Sequence, residues 1–258
     1  MMLNKFSIEK KVAIVIGGTK GIGKGIAIGL SKAGATVVVS SRHQSDCIAA
    51  ADEICLITGN PTIGIVCDVT DIDSIYNLVH TTINELGKID ILVNSAGVNV
   101  RKDSVDFTEK DWDLVQDTQL KGYFFACQAV GKYMQENGVR GKLINVSSID
   151  SLVVSRTNII SYMAAKGAVA QMTKSLAVEW ADKGICVNAI APGYFETEMT
   201  KVLFEDAKVR EELFENIPVK RFGNPEEDLA PIAVYLASEA SDYVTGQNIV
   251  VDGGYTLI

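Results

Sequence analysis

The sequence predicts an α/β fold: one domain with a doubly wound parallel sheet of about seven strands and helices on both faces. Three observations predict it. Short β-branched runs alternate with helical stretches along the chain, the order that parallel strands with crossover helices require. The strand candidates are continuously apolar rather than alternating, as at Val12 to Ile16, so both faces of the sheet must be covered. No linker, repeat or low-complexity tract divides the 258 residues, so 1–258 reads as a single unit.

Each element follows from its local pattern. "KVAIVIGG" (11–18) is a buried strand, and "GIGKGIAIGLSKAG" (21–34) a helix that stops near Gly34. "TVVVSS" (36–41) is the second strand, followed by a helix over about 45–56. "TIGIVCDV" (62–69) is the third strand, and Asp71 supplies a cap for a helix over 71–87. "IDILVNSAG" (89–97) is a strand entering a loop, and one long helix is expected over about 108–137. "GKLINVSS" (141–148) is the fifth strand, a long helix covers 161–184, and "ICVNAIAPG" (185–193) is the sixth strand. A polar, mostly helical excursion at about 194–224 precedes a helix at 226–239 and a last strand, "QNIVVDGG" (247–254).

Bulk properties narrow the functional classes. A composition 47% hydrophobic and 22% charged supports a sizeable core. The net charge of −8 disfavours a general nucleic-acid or anionic-membrane binder. Five scattered cysteines, no CxxC pair and only two histidines disfavour a disulfide framework and a metal site, and suit a reducing compartment. The polar start and the short apolar run after it do not resemble a signal h-region or a span. A soluble, cytoplasmic protein is expected.

Two clusters carry chemistry. "GGTKGIG" places Gly17, Gly21 and Gly23 between the first strand and the first helix. Glycine there permits a tight turn and close backbone approach, and the helix N-terminus offers free N–H groups to a phosphate. In "SYMAAKG", Tyr162 and Lys166 stand four residues apart and share one helix face. Considered alone, that spacing favours an amphipathic helix with a half-buried Tyr and a solvated Lys, because such pairs are common on helices.

The ordered set "GGTKGIG" (17–23), "DV" (68–69), "NSAG" (94–97), "NVSS" (145–148), "YMAAK" (162–166) and "NAIAPG" (188–193) resembles the short-chain dehydrogenase/reductase family. The likeness runs from about Lys11 to Gly254. It implies a Rossmann-type fold and an NAD(P)-dependent oxidoreductase interconverting a secondary alcohol and a ketone. The family's catalytic serine, tyrosine and lysine fall on Ser148, Tyr162 and Lys166. The phenol would give the carbonyl oxygen its proton, and a free phenol near pKa ~10 is too weak an acid to exchange easily at neutral pH. Lys166 and the oxidised nicotinamide would lower that value. Ser148 would hydrogen-bond the substrate oxygen, while its neighbour Ser147 points the other way.

Two positions depart from the family pattern. Ile16 replaces the usual Thr before the first glycine. Gln119 replaces the asparagine that helps hold a water linking the lysine to bulk, so an altered proton relay is expected.

The end of the second strand decides the cofactor. Ser41 stands where an acidic residue would select NAD(H), Arg42 follows it, and Lys20 lies in the glycine loop. Both cations suit a 2′-phosphate, so NADP(H) is expected over NAD(H). By resemblance, Thr19, Ile22 and the loop glycines hold the phosphates, Asp68 and Val69 line the adenine pocket, and Asn94, Ala96 and Gly97 form the central wall. Pro192, Gly193 and Thr197 belong to the nicotinamide end.

The substrate wall is expected from three segments: the loop after Gly97 with Asn99 and Arg101, the 149–161 segment with Asp150 and Arg156, and the excursion after Gly193 with Phe195. Apolar Met199, Leu203 and Phe204 would make the excursion a mobile lid. "RKDSVDFTEKDW" and "APGYFETEMT" most resemble sugar-acid and polyol reductases of the gluconate 5-dehydrogenase type, in which Arg101 or Arg156 could hold a carboxylate. A 3-oxoacyl-carrier-protein reductase, a broad-range ketone reductase and a non-catalytic NADP-binding sensor are the alternatives. The resemblance further implies a homotetramer, with no nucleic-acid or membrane partner.

Overall fold

The computed structural model describes residues 3–258, without the side chains of Leu3, Val202 and Leu203. Leu203, expected on the lid's apolar face, thus lies outside the described side chains. Seven strands form one all-parallel sheet in the order β3-β2-β1-β4-β5-β6-β7. They are β1 (Val12–Ile16), β2 (Thr36–Ser41), β3 (Thr62–Val66), β4 (Ile91–Asn94), β5 (Lys142–Val146), β6 (Cys186–Pro192) and β7 (Asn248–Val251). The order reverses between β1 and β4, and such a switch point opens a crevice beyond the carboxyl ends of the strands.

The reason for the continuous apolar run in β1 is visible in its packing. Ala13 and Val15 enter one hydrophobic cluster, while Ile14 and Ile16 enter the other on the opposite face. Successive strand side chains point to opposite faces, so a two-sided core removes the polar alternate. Each fully buried aliphatic side chain contributes roughly 1.5–3 kcal/mol. No helix among the described residues is long and apolar enough to cross a membrane.

Helices α1 (Gly21–Lys32), α2 (Gln44–Thr58) and α3 (Ile72–Leu86) follow the first three strands. The Asp71 side chain caps α3 by accepting from the Asp73 N–H, as its sequence suggested. The helix expected over 108–137 is two helices, α4 (Glu109–Gln116) and α5 (Gly122–Glu136), joined by a π-helical turn at Asp117–Lys121. Tertiary contacts accompany the turn. Gln119 inside it is fully buried and donates to the Val98 carbonyl, and Gly122 abuts Val69, where a Cβ would lie 2.8 Å from the carbonyl oxygen. The remaining helices are α6 (Ile160–Trp180), α7 (Lys201–Glu205), α8 (Ala207–Glu215) and α9 (Ala230–Ala237). Gly29 of α1 packs directly on Ala230 at the start of α9, leaving no room for a Cβ.

Candidate active site

A cleft of about 890 Å³ opens beyond the carboxyl ends of the neighbouring strands β1 and β4. Its lining includes Gly17, Thr19, Lys20, Gly21, Ile22, Gly23, Ser41, Arg42, Asp68, Val69, Ala96 and Gly97. Asn99, Arg101, Gln119, Ser148, Tyr162, Lys166, Pro192, Gly193, Phe195 and Thr197 complete the set of expected residues found there. Thus β1, β4, β5 and α6, distant in sequence, deliver their loop ends to one crevice.

The glycine loop shows how the backbone shapes that crevice. Gly17 (φ 77°) and Gly21 (φ 52°) both take the left-handed region that favours glycine. The Gly17 N–H donates to the Ser40 carbonyl at 2.8 Å, which ties the turn to β2. At the start of α1 no side chain caps the helix, and an uncapped N-terminus facing a cleft suits an anion.

At the other end, Lys166 is only 3% exposed, and its Nζ donates to the Val146 carbonyl at 2.8 Å. The same ammonium lies 5.2 Å from the Tyr123 ring centroid and 5.5 Å from that of Tyr162. Burial lowers its pKa to about 7, against the pull of Asp150, which favours the charged form. Tyr162 is half-buried, and its phenol is pushed above the ordinary value, chiefly by burial and then by the Asp150 carboxylate. Ser148 and Arg101 act the other way. Asp150 and Arg101 thus bear on the phenol in addition to the nearby Lys166 ammonium.

Several expected residues sit differently from their anticipated places. Asp150, expected against the substrate, accepts from the Ser148 hydroxyl at 3.1 Å, and the Ser155 hydroxyl donates to its other oxygen. The Asp150 N–H donates back to Ser148 Oγ, so Ser148 caps the short helical turn at Ile149–Ser151. Asn94 is 1% exposed and lies behind the central wall, its amide donating to Asn145 Oδ1 at 2.9 Å. Phe195 lines the cleft but is 3% exposed, its ring pressed on Gly223, and so anchors the excursion. Ser147 turns away as expected, donating to Asn248 Oδ1. Gln119 Nε2 donates to the Val98 carbonyl at 2.7 Å and its Oε1 has no partner, so neither amide atom is bonded to Lys166.

The substrate end carries polar atoms that the protein itself leaves unpartnered. They are Asn99 Oδ1 and Gln119 Oε1, both buried; Arg156 Nε and Tyr194 Oη are buried without a partner too, but those residues do not line the cleft. The pKa of Arg101 is lowered by burial and by the neighbouring Arg156 charge, while Tyr162, Tyr194 and Asp150 oppose the shift. Arg101 itself stays exposed on the cleft lining. Tyr194 was missed in the sequence, although its position right after Gly193 marked it as an excursion residue. Met199 is the roof: its Cε lies 3.2 Å from where a Gly97 Cβ would be. Among the described residues no His, Cys, Asp or Glu cluster could hold a metal. An uncapped helix N-terminus, an elongated cleft at the switch point and orphaned polar atoms beyond Lys166 all fit a dinucleotide with a polar substrate at its end.

Comparison with known proteins agrees. The family model described as enoyl-(acyl carrier protein) reductase matches residues 17–256. The structure superposes on a short-chain type dehydrogenase/reductase from Mycobacterium marinum with TM-score 0.94, at 36% identity over 100% of both chains. The chain belongs to the short-chain dehydrogenase/reductase family, and is an oxidoreductase that interconverts an alcohol and a carbonyl with a nicotinamide dinucleotide. Among its relatives, the 2-dehydro-3-deoxy-D-gluconate 5-dehydrogenase of Dickeya dadantii (strain 3937) is 41% identical over 99% of both chains. The gluconate 5-dehydrogenase of Burkholderia cenocepacia J2315, solved in complex with NADP and tartrate, gives TM-score 0.94 at 36% identity over 100% of both chains.

Proposed function

We propose that the chain is an NADP(H)-dependent reductase and dehydrogenase of a sugar acid. The observation that carries this reading is the paired arginines. Arg101 lines the cleft, the Arg156 charge adds to partial burial in lowering its pKa, and neither arginine forms an ion pair among the described residues. Two like charges without an ion partner favour an incoming anion, and a carboxylate accepts the planar donors of a guanidinium. The free oxygens of Asn99 and Gln119 are acceptors, suited to substrate hydroxyls. A carboxylate at one end and hydroxyls beside it describe a sugar acid, in keeping with the two gluconate-type relatives.

The bound nicotinamide supplies or takes the hydride. The chain's own part is to bind, orient and move the proton. The N–H groups at the start of α1 hold the pyrophosphate, Thr19 supports that loop, and Lys20, Ser41 and Arg42 face the 2′-phosphate. Asp68 and Val69 line the adenine side, with Ala96 and Gly97 along the middle. Pro192, Gly193 and Thr197 hold the carboxamide end, and the excursion over 194–224 serves as the substrate lid. Tyr162 exchanges the proton with the substrate oxygen. Ser148, released from Asp150, donates to that oxygen and steadies its charge. Lys166, anchored on Val146, orients the ribose. Gln119 acts first as a wall acceptor.

Cytoplasmic location and a homotetramer complete the reading. Val178 on α6 is 82% exposed and Phe124 on α5 is 37% exposed, and apolar groups on adjoining helix faces suit burial between copies.

Initial rates on sugar acids, polyols, acyl thioesters and cyclic ketones, with NADP(H) and NAD(H), test the assignment. Sugar acids should be turned over best, and with NADP(H). Arg101→Met should raise KM for the acid by at least about tenfold, with little effect on an uncharged polyol. Acyl thioesters as the best substrates would overturn the sugar-acid reading, and equal or better efficiency with NAD(H) would overturn the cofactor preference.

A further inference from the structure

The end of the cleft between the glycine loop and the start of α2 holds one charge of the wrong sign. Lys20, Arg42, His43 and Asp46 all line it. Asp46 lies in the first turn of α2, and its Oδ2 stands 3.6 Å from Lys20 Nζ. Arg42 forms no ion pair among the described residues. Of the two cations facing this end, one is therefore free and the other is already partnered by a carboxylate within the same lining.

Helix structure does not require that carboxylate. The Asp46 side chain makes no capping hydrogen bond, and α2 begins at Gln44 without a side-chain cap. An acidic group in a first turn gains something from the helix dipole. The ion pair with Lys20 is part exposed, with side-chain exposures of 61% and 35%, and such pairs contribute little to stability. Its larger effect falls on whatever anion enters beside it. A 2′-phosphate carries close to two negative charges, and a carboxylate in the same lining repels it while occupying Lys20. A 2′-hydroxyl is neutral and loses nothing by that repulsion, and the carboxylate offers it an acceptor.

We propose that Asp46 is a selectivity residue at the adenosine end of the cleft: it opposes the 2′-phosphate and so narrows the preference for a phosphorylated over an unphosphorylated dinucleotide. The inference deepens the NADP(H) reading above and rests on Lys20 and Arg42 facing the 2′ position. Asp46 sets the margin of selectivity, and the two cations set its sign.

The test is a binding titration of the purified protein with NADPH and with NADH, followed by nicotinamide fluorescence at low salt and pH 8. Asp46→Asn should tighten NADPH binding about threefold to tenfold at low ionic strength. NADH should shift less than about twofold or weaken slightly. Asp46→Ser, which keeps a small polar group in the first turn, should shift in the same direction, and thermal melts should show both variants folded. Unchanged or weaker NADPH binding in both variants would overturn the proposal, as would equal tightening of the two cofactors. If the wild type itself binds NADH more tightly, the NADP(H) reading fails on its own. Selective tightening of NADPH by Asp46→Asn would then still uphold the role of Asp46.

Discussion

Replacing the Tyr162 hydroxyl by hydrogen leaves the ring, which packs within the cleft wall, and deletes the atom proposed to exchange the proton. Tyr162→Phe should lower turnover by about a thousandfold or more, with NADPH affinity held within about twofold in a fluorescence titration. The pH dependence follows from the charges around the phenol. Burial raises its pKa and the Asp150 carboxylate raises it further. Alcohol oxidation needs the ionised phenol as base, so kcat/KM in that direction should climb with pH above neutrality. Ketone reduction needs the protonated phenol, which burial preserves, so that profile should stay flat through neutral pH. Asp150→Asn removes one negative charge while keeping an acceptor for Ser148. The oxidation profile should then move to lower pH by about half a unit to one unit; movement to higher pH would contradict this electrostatic account. The gathering of Ser148, Tyr162 and Lys166 in one cleft was legible because their spacing and order survive in one dimension. The contact of Asp150 with Ser148 was not, since it depends on a turn geometry that the string of residues does not display. The lowered pKa of Lys166 was hidden for the same reason: burial is a property of the assembled sheet.

At the scale of elements, the strands and the first three helices could be read within a few residues. β-Branched runs and glycine stops are local signals. The π turn within the helix expected over 108–137 could not be read. Neither Gly nor Pro interrupts Asp117–Lys121, and the turn goes with contacts to Val98 and Val69, distant in sequence. The spacing within α1 has a comparable long-range cause. Gly25 and Gly29 lie on one face, four residues apart, where the helix meets Pro225 and Ala230. Gly29→Ala should cost about 1–3 kcal/mol through overpacking, despite the higher helix propensity of alanine. Urea unfolding checks the sign: stabilisation would mean that propensity outweighs the contact.

For the whole molecule, assembly is the property least visible in one chain. The exposed apolar groups on α5 and α6 lead us to expect light scattering to give four times the chain mass at micromolar concentration; a monomeric mass would remove the tetramer from the reading. The charge, cysteine count and apolar strands bounded the class of protein, but a wide apolar helix face reads alike whether it covers a sheet or another subunit. The contact between α1 and α9 also has a meaning in time. Some two hundred residues separate Gly29 from Ala230, and a ribosome adds roughly 5–20 residues per second. The first helix to be made therefore waits on the order of ten seconds or more before the surface that covers it exists. Throughout that interval Ile26 and Leu30, fully buried in the finished fold, lack the partners of α9 that join them in one cluster. Birth of the chain is the stage at which its glycine-lined helix is most vulnerable to the wrong neighbour.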